Sequence, residues 1–370
     1  MQDIIFVGVD VHKATVSVAV AESGRGGEVR AIGTFANNSG EITKLAERLG
    51  KGGRHLHVCY EAGPCGYGLH RQLTGLGHDC IVVAPSLIPM KAGDRVKTDR
   101  RDAVMLAKLH RAGELTAVWV PDDAHEAMRD LVRARATARR VLSKARQHIQ
   151  GFLLRHGRVY SGKKGWTRMY RRWLAQVRFD HPAQQIVLQD YINAVVDAEE
   201  RVKRLTGQIE ALVPQWSMAP VVQAFQAMRG VALITAVTVA AEVGDFSRFS
   251  NPRQLMAYLG LVPSEHSSGS KVRRGGITKA GSILARTALV EGAWTYRLQA
   301  RVSNTLKGRI ESLPKPVRDI AWKAQVRLCA RYRRLSAAGK LRTVVTTAIA
   351  REMVGFLWAI AREVQVSAKA

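Results

Sequence analysis

The stretch Ile4-Ile5-Phe6-Val7-Gly8-Val9-Asp10 narrows most what this chain can fold into. A short apolar run closes on a carboxylate, the turn Asp10-Val11-His12-Lys13 follows, and a second β-rich run spans Thr15 to Val20. Two such runs joined so tightly read as a buried hairpin. The first strand then delivers Asp10 to one end of a sheet, where metal or phosphate chemistry can be done. Further strands are expected over residues 29–35, 55–60 and 80–83, with helices over 41–49 and 66–75 and Gly-rich turns such as Gly24-Arg25-Gly26-Gly27 between them. Three consecutive strands followed by alternating helices and strands predict a mixed sheet, not a purely doubly wound one.

Beyond residue 122 the pattern turns helical. Over 124–156, Ala138, Leu142, Ala145, Ile149 and Phe152 recur at helical spacing. After Pro182, Leu188, Val195, Val202 and Ile209 share one heptad position, and Tyr191, Ala198, Leu205 and Leu212 share another. Sustained apolar positions of this kind predict a coiled coil, read here as an antiparallel pair that also supplies a subunit contact. A helical hairpin packing only on itself has the same pattern. Pro214 and Pro220 bracket a linker. Residues 222–300 read as a helical unit with a Ser-, Gly- and Lys/Arg-rich loop at 263–279, and 316–332 and 341–364 as two more amphipathic helices. The division expected is therefore 1–122, 123–215, 216–310 and 311–370.

Charge separates these parts. The chain carries 57 Lys+Arg against 30 Asp+Glu, a net +27, yet residues 1–90 hold eight of each sign. A neutral head on a basic body suggests a reactive unit carried by a polyanion-binding one. The densest run is 129–178, with fifteen Lys/Arg against Asp130 alone. It contains Arg139, Arg140, Lys163, Lys164, Arg171 and Arg172, with Trp166, Tyr170 and Trp173 interleaved. Phosphate neutralisation with base stacking is the expectation, which suits RNA or single strands.

Other classes fit less well. The most apolar late stretch, 343–361, carries Arg351 and Glu352 and makes a poor membrane span. No signal peptide is expected at the start, which points to the cytoplasm. Cys59, Cys65, Cys80 and Cys329 form no Cys-x-x-Cys pair and read as reduced thiols. An actin-like kinase or ATPase also opens with an Asp-ended hairpin, but no Gly-x-Gly-x-x-Gly appears after residue 30.

Four acids stand out. Asp10 and Glu61 each end an expected strand. Asp99 and Asp102 open an expected helix running through Leu106 to His110, three residues apart and so on one face. Acids at a helix start also serve capping and dipole compensation. Taken together, two strand-end acids and a helical pair could surround a site of hard-cation size. Carboxylate oxygens suit Mg²⁺, and two ions roughly 4 Å apart can assist phosphoryl transfer.

Val7-Gly8-Val9-Asp10-Val11-His12-Lys13, Tyr60-Glu61-Ala62-Gly63 and Lys97-Thr98-Asp99-Arg100-Arg101-Asp102-Ala103 resemble the DEDD transposases of bacterial insertion sequences, the recombinases guided by a bridge RNA. The second half extends the resemblance. Its motifs are Ala241-Glu242-Val243-Gly244-Asp245-Phe246, Leu255-Met256-Ala257-Tyr258-Leu259-Gly260-Leu261-Val262-Pro263, Ser268-Gly269 and Arg274-Gly275-Gly276-Ile277-Thr278-Lys279-Ala280-Gly281. The resemblance implies an α/β plus α architecture: a RuvC-like, RNase H-type mixed sheet, a helical coiled-coil region and a mainly helical C-terminal transposase domain. It implies that Asp10, Glu61, Asp99 and Asp102 bind Mg²⁺, two ions per site, and that Ser268 is the nucleophile on DNA. Ser264 and Ser267 stand close by, and composition alone reads their stretch as a flexible loop. Lys271, Arg273, Arg274 and Lys279 flank Ser268 and suit scissile phosphates.

The implied activity is Mg²⁺-dependent strand cleavage and exchange through a phosphoserine intermediate. Element and target DNA, a structured guide RNA and a homo-oligomer (dimer or tetramer) are the implied partners, in a bacterial, nucleoid-associated setting. Two departures qualify the match. At Met228-Arg229-Gly230-Val231-Ala232, Arg229 and Ala232 replace a proline and a glycine of a phosphate-binding hairpin, with Arg229 a partial substitute for that contact. Ser282 stands where the family often has asparagine. The competing readings are a junction-resolving nuclease using metal-activated water, and a nucleic-acid-binding module with a decayed site.

Overall fold

The N-terminal hairpin forms as expected: β1 (Ile4–Val11) and β2 (Thr15–Glu22) pair antiparallel in a computed structural model that describes residues 3–24, 26–89 and 98–367. Arg25 of the first Gly-rich turn and Lys97 of the acidic motif lie outside the described residues. β3 (Val29–Ala36), α1 (Ser39–Leu49), β4 (His55–Glu61), α2 (Gly68–Gly75), β5 (Asp79–Val83) and α3 (Asp99–Arg111) complete a unit that ends at residue 120. The strand order is β3-β2-β1-β4-β5, antiparallel on one side of β1 and parallel on the other. This is a mixed sheet of the RuvC-like kind.

One boundary differs from expectation. Asp10 does not end β1, because the rungs Asp10↔Ser17 and Val11↔Val16 continue the ladder. The turn is confined to His12–Ala14, closed by His12 N–H donating to Thr15 O at 2.9 Å.

Alternation gives the sheet two unlike faces. Ile5, Val7 and Val9 of β1, with Val16, Val18, Val20, Leu56, Val58 and Tyr60, cover one side and pack under Ile42 and Leu45 of α1 and Leu73 of α2. The other side of β1 carries Phe6, Gly8 and Asp10. Gly8 is in register with Ala19, and Phe6 with Ala21. Onto this small-residue surface lies α3, through Ala103 and Ala107. A Cβ at position 8 would fall 2.3 Å from Ala103 O and 2.4 Å from Ala107 N, so the helix backbone rests directly on the strand.

The second unit covers residues 121–370. It holds α4 (Asp123–Arg155), α5 (Arg168–Gln176), α6 (Pro182–Leu212), α7 (Ala219–Phe225), α8 (Leu233–Val243) and α9 (Pro252–Tyr258). A two-stranded hairpin, β6 (Pro263–Glu265) and β7 (Arg274–Ile277), precedes α10 (Ile283–Ala293), α11 (Asn304–Ile310), α12 (Lys315–Ala337) and α13 (Arg342–Ser367). The architecture is thus α/β followed by mainly α.

α4 and α6 run antiparallel. Arg135 bonds Thr206, Arg146 bonds Glu199, and Phe152 meets Tyr191 at a ring separation of 5.8 Å, so partner numbers fall on one helix as they rise on the other. Leu188, Val195, Ala198 and Ile209 are buried, as the heptad reading predicts, while Leu212 is exposed. At the base of the pair, Met128, Val132, Ile209 and Val213 enter the same core as α7, α8, α10, α12 and α13. Arg133 clasps Glu242 there in a two-bond ion pair of 2.8 and 3.0 Å. Among the described residues α13 is the one helix long and apolar enough to cross a membrane, but half of that stretch is buried, with Val345, Ile349, Met353, Leu357 and Ile360 inside the core.

Gly8→Ala should force α3 away from the sheet and destabilise the N-terminal unit by about 1–3 kcal/mol. Gly75→Ala, with open space around its Cβ, should change stability by no more than about 1 kcal/mol. Denaturant melts of the full chain followed by a probe in residues 1–120 check this; equal effects at the two sites would contradict the close approach.

Candidate active site

Asp10 and Glu61 follow the last recorded rung between β1 and β4, Val9↔Tyr60, and stand on neighbouring parallel strands. Both belong to the side of the sheet that α3 covers. Thr98 caps α3 by accepting from Arg101 N–H at 3.3 Å, which sets Asp99 and Asp102 in the first turn. Asp10 Oδ2 lies 3.2 Å from His12 Nε2, and the same nitrogen lies 3.7 Å from Asp99 Oδ2. Ligand atoms of Asp10, His12 and Asp99 all fall within 4.8 Å of one another.

The electrostatics agree with the geometry. Burial pushes the Asp10 carboxyl above its ordinary value of 3.8, and the charges of Asp99 and Asp102 push it the same way; His12 partly offsets them. Carboxylates crowded so that they repel are what a hard divalent cation relieves, and oxygen donors are what such a cation takes. His12 is the member whose place at the site the sequence left unassigned. Its position two residues after Asp10, across a turn this tight, is the signal that was there to read.

The expected Ser/Gly loop is instead an ordered hairpin. Pro263 pairs with Ile277 and Glu265 with Arg274, and Ser268 and Lys271 exchange both backbone hydrogen bonds at 3.1 Å. Gly269, at φ +57°, takes the first corner of the two-residue turn, where a positive φ favours glycine. The three serines are not equivalent. A Cβ on Gly275 would meet Ser264 Oγ at 2.5 Å, so Ser264 lies against the facing strand. Ser267 Oγ donates to Glu265 Oε1 at 2.8 Å and accepts from Arg273 N–H at 3.2 Å. Ser268 is exposed at the tip, and its hydroxyl has no hydrogen-bond partner among the described residues.

Lys271, Arg273, Arg274 and Lys279 are all exposed around this hairpin. Arg274 bonds Glu265 at 3.2 Å, and the Ser267 hydroxyl with Arg274 holds that carboxyl below its usual range. The root of the hairpin is fixed by Arg286, buried, whose guanidinium donates to Leu259 O at 2.9 Å and Ala280 O at 2.6 Å. Ser282 caps α10 by accepting from Ala285 N–H; asparagine fills the same role well. Arg229 does not reach out toward a ligand but donates to Gln299 O at 2.7 Å.

In the basic run, Arg139, Arg140, Lys163, Lys164 and Arg172 are exposed. Arg171 is engaged: with Arg146 it binds Glu199, at 2.7 and 2.6 Å. Burial alone would raise the Glu199 pKa, but these two guanidinium groups bring it below the usual value. The interleaved aromatics also differ from the stacking platform expected. Tyr170 is buried, with Trp166 and Trp173 at 5.2 and 5.5 Å from its ring, and the Arg146 guanidinium covers Trp166 at 4.8 Å. Their rings close the α4–α5–α6 core.

A groove that the sequence did not suggest runs beside β7, lined by Arg253, Arg327, Arg331 and Arg351 together with Gly275 and Gly276. Arg331 Nε lies 3.0 Å from Glu352 Oε2, and Arg327 pairs with the same carboxylate. The spacing of four on α12 was the available signal.

Residues 7–157 match the DEDD domain described as Transposase, and residues 222–307 match the domain described as Transposase IS116/IS110/IS902 family. The chain is 57% identical over 358 residues to the putative transposase y4qE of Sinorhizobium fredii, covering 97% of this chain and 88% of that one. It is 31% identical over 339 residues to the transposase for insertion sequence element IS1533 of Leptospira borgpetersenii, covering 91% and 98%. A probable family 20 transposase of Pseudomonas aeruginosa is 30% identical over 227 residues, 60% of this chain and 66% of that relative.

The raised pKa of Asp10 fixes the sign of its effect on stability. A carboxyl that holds its proton more tightly when folded contributes stability that is complete below 3.8 and is lost as the pH rises through the folded value. In chelator at neutral pH, Asp10→Asn should therefore leave the melting temperature of the N-terminal unit unchanged or higher. Added Mg²⁺ should raise it for the wild type only, as measured by scanning calorimetry. A lower melting temperature for Asp10→Asn in chelator would contradict this account.

Proposed function

The chain belongs to the IS116/IS110/IS902 family of transposases, enzymes that act on DNA, and from that premise we propose that it works as an RNA-guided DNA recombinase. The observation that carries this reading is the convergence of Asp10 and Asp99 around His12, with ligand atoms within 4.8 Å. Asp10 and Asp99, with Glu61 and Asp102, are the residues that would hold Mg²⁺, taken as two ions. Bound there, the cations favour ionisation of an attacking oxygen and stabilise the leaving one.

The chain's own residues supply the rest. Ser268 Oγ, at the hairpin tip, loses its proton and attacks the scissile phosphorus; a deoxyribose oxygen leaves and takes up a proton as a hydroxyl, and the DNA is held as a phosphoserine diester. A deoxyribose hydroxyl of the partner strand then displaces the serine, which completes exchange. Lys271, Arg273, Arg274 and Lys279 offset phosphate charge around the tip, and the arginine groove beside β7 extends that cationic surface. Arg139, Arg140, Lys163, Lys164 and Arg172 are assigned to guide RNA and DNA backbone. Arg171 and Trp166 are assigned to the same surface through their positioning of α5.

In this reading residues 1–122 form the metal-dependent catalytic part and 123–215 the nucleic-acid and assembly arm. Residues 216–310 carry the serine, and 311–370 close the core. A homo-oligomer brings one protomer's serine to another's carboxylates, acting on element and target DNA in the bacterial cytoplasm, at the nucleoid.

Ser268→Ala should lower strand exchange by at least about 10³-fold while folding and RNA binding stay intact. Ser267→Ala and Ser264→Ala should retain most activity. The assay is recombination of a donor and target plasmid pair with the cognate non-coding RNA, alongside gel detection of a covalent protein–DNA adduct. Full activity in Ser268→Ala, with no adduct in the wild type, would transfer attack to water and make the protein a RuvC-like nuclease.

A further inference from the structure

The side of the sheet that carries the carboxylates bears a second polar group at its other end. His55 and His57 are alternate residues of β4 and project to one side. His57 is in register with Asp79, the first residue of the edge strand β5. Asp79 Oδ2 lies 3.1 Å from His55 Nε2 and 3.2 Å from His57 Nε2. Ligand atoms from all three residues fall within 4.8 Å of one another. A tetrahedral cation with bonds of about 2.0–2.1 Å holds its donors roughly 3.3–3.4 Å apart. Two of the three separations thus stand close to those of a metal site without any rearrangement.

Solvent access and a neighbouring imidazole are also present. The two imidazoles are 23% and 28% exposed and Asp79 is 65% exposed, so an ion can enter from solvent. The ring of His78 lies 5.8 Å from that of His55, and its Nδ1 is buried with no hydrogen-bond partner. The group lies four residues back along β4 from Glu61, about 13 Å at the rise of a strand, and so is separate from the Asp10 cluster.

We propose that His55, His57 and Asp79 form a second cation site, selective for a borderline divalent transition cation of the Zn²⁺ class. Two imidazole nitrogens with one carboxylate suit Zn²⁺ and are poor donors for Mg²⁺, which demands oxygen. The fourth position is left to water or to His78. An ion held there ties the edge strand β5 to β4 next to α3 and stabilises the fold from the end remote from the carboxylates. The proposal stands apart from the recombinase reading and survives its failure.

Full-length protein stripped with chelator, then dialysed against Zn²⁺ in excess Mg²⁺, should retain about one equivalent of Zn²⁺ per chain. Co²⁺ in its place should give the intense visible absorption of a four-coordinate site. Both signals should persist in the Asp10→Asn/Asp99→Asn double variant, which removes the carboxylate cluster. His57→Gln and Asp79→Asn should each weaken Zn²⁺ binding at least about tenfold. Asp79 is mostly exposed, and its asparagine variant keeps a hydrogen-bonding oxygen, so loss of binding there is not loss of folding; circular dichroism checks both variants. Failure to retain Zn²⁺ against Mg²⁺, or retention unchanged in Asp79→Asn, would overturn the proposal.

Discussion

The backbone of α3 rests on Gly8 with no side chain between them. That contact sets the height of the helix above the sheet, and the height decides whether acids on two separate elements share one electrostatic environment. Ala19 and Ala21 on β2 and Ala103 and Ala107 on α3 continue the flat seat on either side. With the helix at this distance Asp99 and Asp102 reach far enough to raise the proton affinity of Asp10. A bulkier seat would leave the same acids in the sequence but move Asp99 away from Asp10 and His12 in the fold.

The same seat organises both ends of α3. Its first turn brings acids to Asp10, while near its last turn His110 packs edge-on against Phe6 at 5.4 Å, beside His57. One helix lying on β1 and β4 thus frames two polar clusters with different donor chemistry, oxygen-rich at one end and imidazole-rich at the other. The second unit follows a different principle. There a buried guanidinium, Arg286, anchors the carbonyls at the root of the β6–β7 hairpin, and the hairpin presents the exposed Ser268 at its tip.

Much of this was legible in the residues. Alternating apolar positions give β1 and β2, and the heptad positions give α6 and the residues it buries; the antiparallel sense of its pairing with α4 is visible only in cross-contacts such as Arg146 with Glu199. Asp99 and Asp102 were legible as a pair because a spacing of three on a helix start has a direct geometric meaning. Other features were hidden for physical reasons. β6 and β7 are three and four residues long and carry Ser, Gly and Arg, so no apolar alternation marks them; their order comes from backbone pairing and from Arg286, whose bonds to Leu259 O and Ala280 O no local pattern announces. The aromatics among the cations looked like a stacking surface because composition does not reveal which side of α5 faces the core. Arg171 likewise looked free until Glu199, on another helix, supplied its partner. His12 gave no periodic signal, since its role comes from a three-residue turn folding it back beside Asp10.

The account depends most on oxygen donors from β1 and α3 gathering divalent cations in the space α3 encloses. Crystals of the full chain with its RNA and DNA, grown in Mn²⁺ as a substitute for Mg²⁺, test this directly through anomalous scattering at the manganese edge. Anomalous peaks bounded by the carboxylates of Asp10 and Asp99 are predicted, and their loss in crystals of the Asp10→Asn protein. Ordered Asp10 and Asp99 side chains with no manganese between them, in a complex poised on uncleaved DNA, would contradict it.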